Sequence, residues 1–433
     1  MKRASIIVLN HALLLSEYLE ESESSLLPKL EYLVLDEVHN LEAVATDALK
    51  VTSDSVLFEK CVIDLTRAIK KYNKTHPLDT FLSPEVTAIS DSLLMTARIL
   101  FDEIESAFSL SLMTPAKGAY GGGRAQEALL ETPVLEAAKS RVYEMLDLVS
   151  AKVHDLERVL FAAPEPLTKD TTRIFEHLTG LTSHIRTFFS PTAETPLIQI
   201  YSAREGVPPR IISTPLRVGE IMQARLWSRI PSVVMMSATL TTGGTFDYIS
   251  RVLELADFEK VIFETDFDYS KQALLYIPPE LPDVAKSEHT RAIQDFLADL
   301  LAIYGGRTLM LFTSFATIKE TMLALAARMK SIGITLLAQG LGGGKHKLAQ
   351  EFVKKSNTSV LLGTDSFWEG VDFAGDLLEL LVIYKLPFAV PTDPVFVARS
   401  RLYSDSFREY AIPMMILKFR QGLGRLIRTR TDK

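Results

Sequence analysis

Three features of this sequence predict an α/β chain with parallel sheets and a long helical insertion. Compact apolar runs end abruptly in polar residues, as Tyr32–Leu35 ends in Asp36-Glu37. Such runs read as buried strands of parallel sheets. From about Phe258 onward, runs of this kind alternate with helical patterns, which argues for helices on both faces of a mostly parallel sheet. Between the two regions, from Leu41 to about Tyr201, apolar residues recur at helical spacing and strand-like runs nearly vanish.

The chain opens on a strand-like run, Ala4 to Leu9, followed directly by Asn10-His11-Ala12-Leu13-Leu14. Ser16 to Pro28 is acidic and Ser-rich and reads as a helix end and loop. Next comes the strand that ends in Asp36-Glu37. In open α/β sheets, ligands sit beyond the carboxyl ends of strands. Two readings stand for this pair. One has Asp36 holding a phosphate-bound Mg²⁺ while Glu37 orients a water. The other has both residues favouring the first turn of a helix.

In the helical stretch, Leu57, Cys61, Leu65 and Ile69 mark one apolar stripe, and Leu135, Val142, Met145, Leu146 and Val149 another. Lys117 to Gly123 reads as a flexible connection, because its glycines lack the Lys-Ser/Thr of a phosphate loop. His76, His154, His177 and His184 show no metal-ligand spacing. Strands return with an expected hairpin, Ile198 to Tyr201 and Arg210 to Ser213, then a buried strand at Ser232 to Met236 that ends in Ser237-Ala238-Thr239-Leu240.

The second α/β region is expected to hold strands at Val261 to Glu264, Ala273 to Ile277, Thr308 to Phe312, Ile334 to Ala338, Ser359 to Leu362 and Leu380 to Tyr384. Helices are expected at Thr290 to Ile303 and Thr317 to Met329. Thr313-Ser314, Thr364-Asp365 and Lys385 stand at strand ends and should line one rim. Gly342-Gly343-Gly344-Lys345 is not a phosphate loop, since Gln339 replaces the first glycine and His346 the Ser/Thr. Near the end, Arg425 and Arg428 are three apart, which in a helix puts them on one face; two readings stand, a pair that reaches one triphosphate and a solvated basic helix end.

Composition bounds the function classes. At 433 residues the chain calls for two or more domains. Hydrophobic residues at 47% and charged residues at 23% are ordinary for a globular protein. The net charge of -7 means that any nucleic-acid contact must come from local grooves. The single cysteine, Cys61, excludes an intrachain disulfide and an iron–sulfur cluster ligated by this chain alone. No apolar run is long enough to span a bilayer, and Lys2-Arg3 precede no signal-peptide pattern. A cytoplasmic protein with no membrane partner is expected.

Together the motifs resemble the DinG/XPD-like superfamily two helicases, nearer the bacterial DinG branch. The matching pieces are Asn10 to Leu14, Asp36-Glu37-Val38-His39, Ser237 to Leu240, Phe312-Thr313-Ser314, Ser366-Phe367-Trp368-Glu369-Gly370-Val371-Asp372, Lys385-Leu386-Pro387-Phe388, and Gln421 through Arg428. The resemblance implies two RecA-like domains with ATP between them. Residues 1–44 and 201–255 would form the first, 45–200 a helical arch-like insertion, and 256–433 the second. It implies ATP-driven 5′-to-3′ translocation on single-stranded DNA and unwinding at duplex junctions, by a monomer.

The resemblance also assigns roles. Asp36 would bind Mg²⁺, Glu37 would activate the water, and His39 would couple nucleotide to the second domain. Ser237, Ala238 and Thr239 would relay between ATP and DNA. Glu369, Gly370, Asp372, Gln421 and Gly424 would face the nucleotide from the second domain, with Arg425 and Arg428 as arginine fingers. Asn10, His11, Thr313, Ser314 and Thr364 would meet DNA. The family's phosphate-binding Gly-x-x-x-x-Gly-Lys-Thr loop precedes Asn-His-Ala-Leu-Leu and is not found here, so the chain is expected to be a piece of a longer protein, cut at both ends. The cluster cysteines of many relatives also lie upstream, which leaves a cluster in the longer protein open. A different class of function, a nucleic-acid-binding or regulatory protein that has lost catalysis, is the alternative. The persistence of Glu37 and both arginines favours the enzyme.

Overall fold

The computed structural model describes residues 5–19, 27–77, 84–112, 126–161, 165–190, 196–265, 267–283, 288–368, 373 and 375–427. The chain divides into two units. The first is Met1–Met236 with Arg251–Glu254 and Val390–Ser404, and the second is Ser237–Ser250, Leu255–Ala389 and Asp405–Lys433.

In the first unit, α1 (His11–Leu19) precedes β1 (Tyr32–Leu35) and α2 (Leu41–Ala48). β1 pairs in parallel with β6 (Ser232–Met235), Leu35 facing Met235. The expected strand over Ala4 to Leu9 does not form within its described residues, which join no ladder. Nor are β1 and β6 fully buried: Tyr32 is 75% exposed, Val34 65% and Val234 51%, whereas Leu35 is 2% exposed. Among the described residues their sheet has two strands. Alternate side chains point to opposite faces, so the open face carries Tyr32 and Val34.

The helical insertion is built on α3 (Ser55–Thr75), α4 (Pro84–Leu112), α5 (Thr132–Phe161) and α6 (Glu165–Phe189). Asp54 caps α3 by accepting from the Leu57 N–H at 2.9 Å. Phe58, Phe101, Phe108, Phe188 and Tyr201 fill its core. The stripes at Leu65 and at Val142, Leu146 and Val149 are buried as their spacing requires. Two strands there escape sequence reading: β2 (Val51–Asp54) and β3 (Gln126–Leu129). Each is four residues long, too short for a period-2 signal. The expected hairpin exists as β4 (Leu197–Arg204) and β5 (Val207–Pro215). It lies in an antiparallel sheet, order β2-β5-β4-β3, separate from the sheet of β1 and β6. The glycine-rich connection from Lys117 to Gly123 lies outside the described residues. α7 (Val218–Met222) and a π-helical turn at Gln223–Trp227 lead into β6.

After β6 come α8 (Asp247–Leu253) and α9 (Tyr269–Gln272), then the second unit's sheet. That sheet is all parallel, in the order β10-β7-β9-β8. Its strands are β7 (Thr308–Leu311), β8 (Thr335–Ala338), β9 (Ser359–Gly363) and β10 (Leu380–Ile383). The helices α10 (His289–Tyr304), α11 (Phe315–Ser331) and α12 (Lys345–Lys354) alternate with them, and α13 (Asp365–Trp368) follows β9. Leu309, Leu311, Val360, Leu361 and Leu362 are fully buried, as continuous apolar runs in a two-sided parallel sheet should be. Two expected strands are absent: Val261 to Glu264 and Ala273 to Ile277 join no ladder, and Phe263 and Leu274 are strongly exposed. Their β-branched and aromatic residues favour strand, but a strand needs a partner, and neither run pairs with any described strand.

Between β10 and α15 (Ile412–Leu423) the chain returns to the first unit through Val390–Ser404. There α14 (Pro394–Ser400) starts with Asp393 capping the Phe396 N–H at 2.8 Å, and Val395 and Ala398 pack on Ile198, Ile200 and Ile212 of the antiparallel sheet.

Candidate functional site

In the first unit, the turn after β1 is set by backbone geometry. Glu37 adopts the left-handed conformation, φ 51° and ψ 43°, which costs a non-glycine residue energy and marks a constrained turn. It precedes a 3₁₀ turn, Val38–Asn40, that runs directly into α2. The Val38 N–H donates to the Met236 carbonyl at 3.2 Å, tying the turn to the end of the neighbouring strand. Asp36 and Glu37 are exposed. The Glu37 N–H donates to Asp36 Oδ1 at 2.9 Å, which leaves the rest of the Asp36 carboxylate open. The His39 side chain is buried, and its Nδ1 lies 3.4 Å from Glu37 Oε2. The fold therefore brings Asp36, Glu37 and His39 into one turn at a parallel strand end.

Mg²⁺ keeps several waters and binds through one or two carboxylates plus substrate phosphates. A lone exposed Asp36 fits that pattern. Among the described residues there is no cluster of three or more acidic, His or Cys side chains that would form an all-protein metal cage. At the start of the chain, Asn10 caps α1, its Oδ1 accepting from the Leu13 N–H at 2.9 Å, and His11 opens that helix.

In the second unit, strand register aligns the functional ends. The Tyr384 N–H donates to the Leu311 carbonyl at 3.0 Å, Phe312 to Gly363 at 2.8 Å, and Gln339 to Leu362 at 3.0 Å. Lys385, Thr313, Ser314, Thr364 and Gln339 consequently share one rim. Thr313 is exposed. Ser314 caps α11, accepting from the Thr317 N–H at 3.2 Å. Thr364 is buried, and its N–H and hydroxyl both donate to Gln339 Oε1, at 2.8 and 3.2 Å. Gln339 Nε2 donates to Ser366 at 2.8 Å. In the sequence Gln339 stands out only as a missing glycine. Its place just past β8 is the signal that could have found it. Ser237 and Thr239 approach each other, the Thr239 N–H donating to Ser237 Oγ at 3.2 Å, while Ala238 is exposed.

The arginine segment is anchored by Trp368. This indole is fully buried and donates to the Phe312 carbonyl at 3.2 Å. α15 crosses it at Gly422, where an added Cβ would lie 2.7 Å from the ring. Gln421 is buried beside it in the chain. The helix ends at Leu423, so Arg425 sits in the turn that begins with Gly424 rather than on a helical face. Its Nε donates to the Trp368 carbonyl at 3.0 Å. Arg420, which no sequence motif singles out, donates to the Thr241 carbonyl at 2.7 Å and so joins α15 to the stretch after Ser237-Ala238-Thr239. Glu369, Gly370, Asp372 and Arg428 lie outside the described residues. No described helix is long and apolar enough to cross a membrane.

Comparison with known proteins bears on these motifs. Residues 297–433 match the family model described as "Helicase C-terminal domain". The protein named "3'-5' exonuclease DinG" of Bacillus subtilis (strain 168) is 28% identical over the whole chain, which covers 49% of it. "ATP-dependent DNA helicase YoaA" of Haemophilus influenzae is 29% identical over 99% of the chain, covering 63% of that protein. "Probable ATP-dependent helicase YpvA" of Bacillus subtilis is 33% identical over 50% of the chain and 32% of its own length. Among solved structures, "XPD_Helicase" aligns with 94% of the chain and 64% of its own, at TM-score 0.47 and 17% identity. The chain thus spans about half to two thirds of the length of the first relatives it matches. The motif order and these relatives agree: residues 297–433 carry a helicase C-terminal domain, and over its whole length the chain is similar to the DinG and YoaA helicases.

Proposed function

We propose that this chain carries the hydrolytic and strand-gripping residues of an ATP-dependent DNA helicase. The observation that carries this reading is the Asp36–Glu37 turn, a carboxylate pair at a parallel strand end in which Glu37 is left-handed and His39 lies against it. Asp36 would hold Mg²⁺, which when bound would neutralise charge on the triphosphate. Glu37 takes a proton from the attacking water. His39, next to Glu37, couples nucleotide state to the second unit, and Ser237, Ala238 and Thr239 relay it to the strand. Glu369, Gly370, Asp372, Gln421 and Gly424 face the nucleotide. Arg425 and Arg428 stabilise charge that develops during transfer.

Asn10, His11, Thr313, Ser314 and Thr364 serve single-stranded DNA, Thr313 meeting its phosphates through an exposed strand-end hydroxyl and the buried Thr364 acting through its bonds to Gln339. The protein works in the cytoplasm as a monomer, moving 5′ to 3′ and opening duplex junctions. The test is Glu37→Gln in a form that carries a phosphate-loop segment together with these residues. ATP binding should persist while turnover falls at least ~100-fold. Near-parental turnover refutes the assignment. If that form binds DNA but never hydrolyses ATP, the retired-enzyme reading takes its place.

A further inference from the structure

Arg399 is a charged side chain with 5% exposure, and its hydrogen bonds all fall within the first unit. Its Nη1 donates to Glu42 Oε1 at 2.9 Å, and its Nη2 to Thr46 Oγ1 at 2.8 Å and the Pro215 carbonyl at 3.3 Å. Its Nε donates to the Leu216 carbonyl at 3.1 Å. The Glu42 side chain is itself only 14% exposed. The guanidinium fork thus clamps three elements: α2 through Glu42 and Thr46, the end of β5, and its own helix α14.

Glu42 and Thr46 are four apart and share one face of α2. That helix grows straight out of the Asp36–Glu37 turn. The Asn40 N–H donates to the Glu37 carbonyl at 3.2 Å, and the Leu41 N–H to the Val38 carbonyl. Only Val38 to Asn40 separate Glu37 from the clamped helix. A movement of α2 is therefore a movement of the turn.

A buried ion pair is a poor device for stability, since a well-packed apolar pair of similar volume does as well or better. What it provides is a fixed geometry, because the planar fork accepts few arrangements. We infer that Arg399 is a positioning residue for Asp36 and Glu37, acting through Glu42 and α2. Its partner lies 357 residues away in the chain, and Arg399 itself sits in a segment bounded on both sides by the second unit. This inference rests on the function proposed for the Asp36–Glu37 turn.

The experiment has two arms. In a nucleotide-hydrolysing form carrying a phosphate-loop segment, Glu42→Gln and Arg399→Met should each lower DNA-stimulated kcat ~10-fold or more, as a small misplacement of a catalytic group does. KM for ATP and affinity for an oligothymidine strand should stay within about threefold. Arg399→Lys, which keeps the charge without the fork, should fall between. The double variant Glu42→Leu/Arg399→Met removes the buried charges together, so it should melt near the parent yet keep the low kcat. In the second arm, hydrogen exchange on the 433-residue chain itself should show faster exchange at Asn40 and Leu41 in the double variant. Parental kcat in a stable double variant, or unchanged exchange at those amides, overturns the inference. A parent that hydrolyses no ATP counts against the proposed function instead, and the exchange arm still decides the clamp.

Discussion

The Nε of Arg425 donates to the main-chain carbonyl of Trp368 at 3.0 Å. The indole of the same tryptophan is buried against α15 and tied to the Phe312 carbonyl. One residue therefore fixes both the helix that delivers the arginine and the arginine's own orientation. The guanidinium makes this bond as one donor of a planar fork of fixed geometry, which lysine lacks. Arg425→Lys should lose DNA-stimulated ATP hydrolysis while keeping single-strand affinity, in a form that carries a phosphate-loop segment. Parallel measurements of turnover and oligonucleotide binding check it. A joint fall of both would make Arg425 a DNA contact or a folding element.

Gly422 has no room for a side chain. A Cβ there would sit 2.7 Å from the Trp368 ring and 3.3 Å from Leu311, and neither neighbour can step aside in a packed sheet–helix interface. Gly422→Ala should therefore destabilise the second unit by ~1–3 kcal/mol. Gly424→Ala is the matched control, since its nearest neighbours would be at 3.5 Å. Denaturant unfolding of both variants decides. Equal stability for Gly422→Ala and the parent would mean that the helix does not cross the indole this closely.

Much of the second unit was legible because its central parallel strands, β7 and β9, are buried on both faces. Continuous apolar runs such as Ser359 to Leu362 then stand out, and register alone places their polar ends on one rim. The antiparallel sheet of the insertion was not legible in the same way. β2 and β3 are four residues each, and their neighbours in sequence are long amphipathic helices whose stronger period masks them. Val261 to Glu264 and Ala273 to Ile277 have strand composition without strand structure, because propensity supplies no pairing edge. At the candidate site, the place of Asp36 and Glu37 at a strand end follows from the run before them. The Glu42–Arg399 pair does not, since no local pattern links residues 357 apart.

His184, which has no ligand spacing in the sequence, is a buried strut. Its Nδ1 lies 2.7 Å from Ser53 Oγ on β2 and its Nε2 2.9 Å from Ser213 Oγ on β5. Burial pushes its pKa down from the ordinary 6.5 to about 4. The sign follows from proton counting. Between those two values the unfolded chain binds a proton that the folded chain does not, so stability falls as pH drops from 6.5 toward 4 and then levels off. The full effect is bounded at ~3 kcal/mol. Histidine-labelled NMR, with His184→Gln to assign the resonance, should show this ring neutral until close to pH 4. A titration near the ordinary value would mean that the ring is solvated rather than buried between the serines.

The 433-residue chain by itself should not hydrolyse ATP. Hydrolysis needs the β- and γ-phosphates held by backbone N–H groups and a lysine. No Gly-x-x-x-x-Gly-Lys-Ser/Thr occurs between Met1 and Lys433. The nearest imitation, Gly342 to Lys345, is used otherwise. Gln339 stands where the first glycine belongs, and its side chain is committed to Thr364 and Ser366. Gly344 caps α12, which begins at Lys345. Asp36 can hold a metal weakly, but a metal without a phosphate cradle leaves the triphosphate unpositioned. The assay compares the purified chain, its Glu37→Gln variant and the same residues joined to a phosphate-loop segment, each with and without single-stranded DNA. Only the last should show DNA-stimulated release of phosphate. DNA-stimulated turnover by the 433 residues alone, lost in Glu37→Gln and so not a contaminant, would mean that another segment of this chain cradles the phosphates.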